Sequence, residues 1–336
     1  MKIFTPTAAD RQLYTEELRD FLPDTIIDLH THLAVPGSMA QPSAERLARY
    51  WVLRLPMEQS VEEFLEAYDL LLPGKRVSAS AFAMPLMESD IPRQNRGVLQ
   101  AARSHPNRIH PFLVVTPAIT EEEIECALND GFIGLKPYPD FVTGDHPGEE
   151  RIGEFLTPAM CAVADRRKLP VILHISRSRR FADPENIADL IYIAARYPGM
   201  RLVIAHFGRS YTSMYLKKGL DALGGRAPWW YDFSAVTNPE VFRLALQQIP
   251  HDRICFGFDN PLMLSRGYYD FPSEDRYQVH IHGYNLPSAN YPPLAYQILL
   301  GFKQAAMDLG LSGESLEKIF HHNALTVLTG RGTPEH

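Results

Sequence analysis

The segment Asp28-Leu29-His30-Thr31-His32 puts polar side chains at alternate positions of an otherwise apolar stretch. In an extended chain that period of two directs Asp28, His30 and His32 to one face, where two imidazoles can reach a single metal ion. An isolated His-x-His pair is equally compatible with a strand end whose rings are packed or hydrogen-bonded. Three further apolar runs close on metal-ligand types: His174 after VIL, His206 after LVIA, and Asp259 after CFGF. Imidazole nitrogen and carboxylate oxygen suit Zn²⁺ or another borderline divalent ion such as Mn²⁺, and spreading ligands over several strands gives a rigid cage. His30, His32 and His174 are the candidate ligands. Asp259 either completes the set or grips an attacking water as general base. His206 is read as a ligand to a second ion or as a group that orients and protonates substrate, with a merely supporting histidine as the alternative. A metal-free polar network competes with all of this, but each buried polar group would then need its own partner.

Around this set lie groups able to hold substrate. Lys136, in GFIGLKP, can neutralise a substrate carboxylate, bridge two cations if carboxylated, or simply extend its ammonium to solvent. Asp28 is assigned to support of the ligand imidazoles rather than to ligation. Arg177, Arg179 and Arg180 form the SRSRR run just beyond His174, where guanidinium groups can clasp a carboxylate; Arg93 and Arg96 receive the same reading more weakly. Tyr138, Tyr268, Tyr269 and the pair His280 and His282 are candidates to shape or cover a pocket, while Trp229 and Trp230 read as core or an aromatic wall.

Positioning these residues requires strands that end together. From residue 26 onward, eight β-rich runs (26–30, 77–84, 109–115, 132–137, 171–175, 202–206, 229–233 and 254–258) alternate with amphipathic stretches at 61–72, 90–104, 121–130, 154–168, 185–197, 212–223 and 238–248. The alternation predicts an α/β fold, a (β/α)8 TIM barrel, with chemistry at the C-terminal ends of its strands. The 77–84 run is the weakest, because Ala and Ser carry little β propensity. Residues 1–25 read as an N-terminal extension, 26–330 as a single barrel, and 331–336 as a loose tail. Two insertions, after strand one (33–60, with a helical portion from Ser43 to Leu55) and after strand eight (260–290), are placed to cover the site.

Composition limits the partners. The 336 residues are 45% hydrophobic and 22% charged, the balance of a chain with a sizeable core. The 33 basic and 40 acidic residues leave a net charge of −7, which offers no long-range attraction for nucleic acid. Three scattered cysteines predict neither a disulfide framework nor a thiolate cluster, and with no secretory or membrane-spanning pattern the expectation is a cytoplasmic protein.

Taken in order, DLHTH, GLKPYP, LPVILHIS, LVIAHFG, FGFDNP and HHNALTVL over roughly residues 24–330 resemble the amidohydrolase superfamily, and within it the amidohydrolase-related, type 2, branch. The resemblance implies a metal-dependent barrel enzyme in which His30, His32, His174 and Asp259 match metal-binding positions. It makes His206 a ligand in two-metal members or an acid-base residue in one-metal members, and Lys136 the lysine carboxylated in some relatives. Asn323 and Ala324 match a structural turn. The implied reaction is hydrolysis of a small amide or lactone by metal-activated water, with non-oxidative decarboxylation of an unsaturated or aromatic acid as the alternative. One or two ions, a small-molecule substrate and a homodimer or larger homo-oligomer complete the expectation.

Overall fold

The computed structural model describes residues 4–143, 147–225, 227–284 and 291–331. Eight parallel strands stand in chain order: β1 Thr25–His32, β2 Arg76–Phe82, β3 Ile109–Val115, β4 Gly134–Pro137, β5 Pro170–Leu173, β6 Arg201–Ile204, β7 Trp230–Asp232 and β8 Ile254–Cys255. Although β8 is short, the chain beyond it runs alongside β1. Leu29 N–H donates to Phe256 O, Asp259 N–H to His30 O and His32 N–H to Asn260 O at 3.0, 2.8 and 2.7 Å. These bonds close the circle, giving the expected (β/α)8 barrel.

The weak β propensity of the Ser and Ala residues in β2 is overridden by its place between two partners. It pairs with β1 from Thr25 opposite Arg76 to His32 opposite Phe82, and with β3 on its other side. The helices follow the expected stretches closely because their ends are chemically marked. Thr120 and Glu123 form a capping box on Glu121–Asp130, and Gly131 ends it at φ 123°. One stretch differs: 154–168 is two helices, Ile152–Phe155 and Pro158–Arg167. Thr157 accepts from Met160 N–H and Pro158, lacking an N–H, occupies the first helical position, so a new helix starts there.

Among the described residues no helix is long and apolar enough to cross a membrane. Phe233 stacks on Phe302 at 5.1 Å and meets Phe242, Phe256 and Phe320 edge-on, an aromatic seam between barrel and outer helices. Trp229 is buried in the core, and Trp230 lies beneath the Arg253 guanidinium at 4.4 Å.

Both insertions stand over the C-terminal ends of the strands. The first carries a helix, Ala44–Arg49, and a 3₁₀ turn, Trp51–Arg54; Arg46 pins it by bidentate pairs to Glu88 and Asp140. The second forms an antiparallel hairpin of β9 Arg266–Ser273 and β10 Arg276–Gly283. Its predicted remainder, 285–290, and tail residues 332–336 lie outside the described residues. The N-terminal extension contains the helix Ala8–Leu13, whose buried Asp10 pairs with Arg266 at 2.6 Å at the root of that hairpin.

Candidate active site

The tip of β1 delivers His30 and His32 into a pocket of about 420 Å³ at the C-terminal face of the barrel. Each floor imidazole has one nitrogen committed outward. His32 Nδ1 faces Ala83 O at 3.3 Å, His206 Nδ1 faces Ser234 O at 2.8 Å, and His30 Nδ1 faces Asp232 Oδ2 at 2.9 Å. These are acceptors, so the protons sit on Nδ1 and the Nε2 lone pairs face the site, that of His30 also within 3.2 Å of the Lys136 ammonium. Asp259 Oδ1 lies 3.0 Å from His32 Nε2 and 3.6 Å from His30 Nε2. A carboxylate oxygen beside an unprotonated imidazole nitrogen is repulsive unless a proton or a cation lies between them.

The charge states agree with a cation. Burial, reinforced by Lys136 and opposed by Asp232, pushes His30 down to about 3. Burial also lowers His206, and it lowers His174 strongly, aided by the neighbouring His206. All three rings are therefore neutral near pH 7, the form that ligates. Burial alone would raise Asp259, but a proton shared with His32 Nε2 where no cation lies between them outweighs it and holds the carboxyl below its usual range. A ligand atom from each of His30, His32 and Asp259 falls within 4.8 Å of the others, as does one from each of His30, His206 and Asp232. In the second group the Asp232 carboxylate is already engaged, accepting from His30, from the backbone N–H groups of His206 and Ser234, and from the Ser234 hydroxyl. The first group, with His206 beside it, fits a divalent ion.

The expected residues fall into place unevenly. His174 lines the pocket but joins neither group; its ring lies between those of Tyr138 at 4.8 Å and His206 at 5.1 Å. Asp28 does not support a ligand ring. It accepts from the backbone N–H groups of His30 and Phe258 and from the Tyr68 hydroxyl, tying β1 to the chain beyond β8. The carboxylate that orients His30 is Asp232, which ends the apolar run of β7 as Asp259 ends CFGF. That shared pattern was the signal for it, obscured by three preceding aromatics.

Lys136 does not reach solvent. Its buried ammonium is 3.2 Å from His30 Nε2 and 4.7 Å from the Phe82 ring centre, and burial, opposed by Asp232 and Asp259, lowers it to about 8.

Of the arginine run, Arg177 lines the pocket with its donors engaged by Asp183 and the Glu149 carbonyl at 2.9 and 2.7 Å. Arg179 is exposed and outside the pocket wall, and Arg180 is caged by Tyr211, Tyr215 and Tyr277. Arg93 bonds the carbonyls of Pro36 and Gly37, and Arg96 is exposed. Tyr138, Tyr269 and Tyr277 line the pocket, whereas Tyr268 stacks on His280 at 4.5 Å and His282 stacks on Tyr291 at 5.2 Å. The second His-x-His pair thus faces tyrosines. Asn323 Nδ2 donates to His251 O and Ile254 O, bracing the start of β8 beside buried Ala324.

A family model described as Amidohydrolase, that of the amidohydrolase-2 family, matches residues 27–329, the barrel and both insertions. The chain belongs to the amidohydrolase-2 family. Membership makes it an enzyme. No match is found among curated proteins. Similar solved structures include a probable 2-pyrone-4,6-dicarboxylic acid hydrolase from Acinetobacter baumannii with citric acid bound, 16% identical, with 91% of this chain and 99% of that chain covered at TM-score 0.59. A 5-carboxyvanillate decarboxylase from Novosphingobium aromaticivorans, complexed with manganese, is 14% identical over 90% of this chain and 96% of that one at TM-score 0.56. A 4-oxalomesaconate hydratase from Rhodopseudomonas palustris is 15% identical over 90% and 95% at TM-score 0.56. At such identities the likeness is one of fold, and this amidohydrolase shares its scaffold with hydrolases, a decarboxylase and a hydratase alike.

Proposed function

We propose that this amidohydrolase is a metal-dependent hydrolase of a small, carboxylate-bearing lactone or amide. The observation that carries the reading is the convergence of the His30 and His32 Nε2 atoms on Asp259, with every outward Nδ1 already spent. A divalent cation held there, Zn²⁺ first and Mn²⁺ next, supplies Lewis acidity toward water and a substrate oxygen.

The remaining work falls to the chain. Asp259, ionised and buried, takes the proton of the attacking water and passes it to the departing alkoxide or amine. His206 spends its N–H on Ser234, so it presents a lone pair and acts as an acceptor, as a further ligand or as a base, rather than as the acid. Lys136 contributes positive charge beneath His30. The net charge and the enclosed site favour a small molecule over nucleic acid as the occupant.

Metal analysis of gently purified protein tests the first half of this reading: wild type retains a divalent ion, while His30→Ala and Asp259→Asn, folded by circular dichroism, lose it. Incubating the loaded enzyme with lactones, amides and aromatic acids tests the second. New carboxylate without carbon dioxide supports hydrolysis, and carbon dioxide without hydrolytic product replaces it with decarboxylation.

A further inference from the structure

Four consecutive residues at the end of β6, His206, Phe207, Gly208 and Arg209, have φ of 55, 47, 68 and 57°. Three of them carry a Cβ, which the left-handed region disfavours. A turn of this kind persists only where its surroundings over-determine it. The His206 N–H is held by Asp232 Oδ1 at 3.0 Å, Phe207 is buried, and a Cβ on Gly208 would come within 2.7 Å of the Phe181 ring. The turn points the side chains of His206 and Arg209, one left-handed turn apart, into the same pocket. A right-handed exit from β6 would direct them differently.

Among the described residues, Arg209 is the half-buried pocket cation with donors to spare. Arg177 is held by Asp183 and Glu149, and Arg49 stands exposed at the rim. Half-buried Arg209 makes a single long bond, Nη1 to Arg177 O at 3.4 Å, and among the described residues no carboxylate lies within ion-pair distance of it. A half-buried guanidinium fork with unspent donors is complementary to a carboxylate.

We propose that Arg209, presented by this left-handed turn, is the specificity-determining residue that clasps the substrate's carboxylate while His206 faces its reacting end. The proposal rests on the reading of the substrate as a carboxylate-bearing small molecule, and its test needs neither metal nor turnover. Glutarate, isophthalate and 2-pyrone-4,6-dicarboxylate, each with its neutral amide, are titrated calorimetrically into metal-free wild type, Arg209→Met, Arg209→Lys and the exposed-surface control Arg196→Met. Loss of one charge-assisted fork is expected to weaken binding about tenfold or more.

The expected result is that wild type and Arg196→Met prefer at least one carboxylate over its amide, that Arg209→Met loses the preference, and that Arg209→Lys keeps part of it. Circular dichroism confirms that the variants are folded, and the Lys variant reports on the site if the Met variant does not fold. Absence of any carboxylate preference in wild type, including absence of binding, overturns the proposal, as does an undiminished preference in folded Arg209 variants. Failure of the hydrolase reading leaves a different mark: carboxylate preference persists while the loaded enzyme opens no lactone or amide.

Discussion

Asp232 shows how one side chain sets two others. Its Oδ2 faces His30 Nδ1 while its Oδ1 accepts from the backbone of His206, so a single carboxylate fixes a ring tautomer at β1 and a turn at β6. Asp232→Asn keeps an oxygen for the His206 N–H but loses the anionic acceptor for His30. It is expected to weaken divalent-metal affinity by about 10–100-fold, the usual cost of removing such a support. Competition against a chromophoric chelator measures this, and unchanged affinity would remove Asp232 from metal support. His30, His32, His206 and Asp259 were legible at this scale because each closes or follows an apolar run. Asp232 was masked by aromatic neighbours, and Arg209 by its distance of three residues from a histidine, which means nothing until the backbone hand of the turn is known.

Elements show the same division. Phe181 is wedged between the left-handed turn and the helix Ser213–Leu223: a Cβ on Gly219 in that helix would approach the Phe181 ring to 2.2 Å. Replacing a helical Gly by Ala ordinarily gains up to about 1 kcal/mol. Here overpacking, at about 1–3 kcal/mol, outweighs the gain. Gly219→Ala is therefore expected to lower the melting temperature, and by pressing Phe181 toward Gly208 to weaken carboxylate binding at Arg209 as well. Thermal unfolding and the same calorimetric titration check the two effects separately. Helix positions were readable from caps such as Thr120 with Glu123, since capping is local chemistry. The strength of β2 was not, because its Ala and Ser residues are held by neighbours distant in sequence.

For the molecule as a whole, the Asp10–Arg266 pair joins the N-terminal extension to the hairpin that helps wall the pocket. Both side chains are buried. Burial opposes ionisation of Asp10, yet its bonds to Arg266 and Thr7 prevail and hold its pKa below the ordinary 3.8. Asp10→Ala leaves Arg266 with the carbonyls of Tyr291 and Thr5, so the loss is expected near the lower end for a broken buried pair, about 3 kcal/mol. A carboxyl with a depressed folded pKa stabilises above its unfolded pKa, and that contribution disappears as the pH falls through the folded value. The stability gap between wild type and Asp10→Asn in urea titrations should accordingly be full at neutral pH and shrink below about pH 4. A gap independent of pH would show that the pair contributes through packing alone.

The order of strands and helices, the polar residues at strand ends and the net charge of −7 were determined by the sequence itself, because periodicity, capping and net charge are local or additive properties. Only the tertiary structure decided which carboxylate orients His30, that Arg177 is already paired, and that Arg209 enters the pocket. Each of those depends on the through-space partner of a side chain, and barrel closure brings together residues about two hundred positions apart, as at His30 and Asp232.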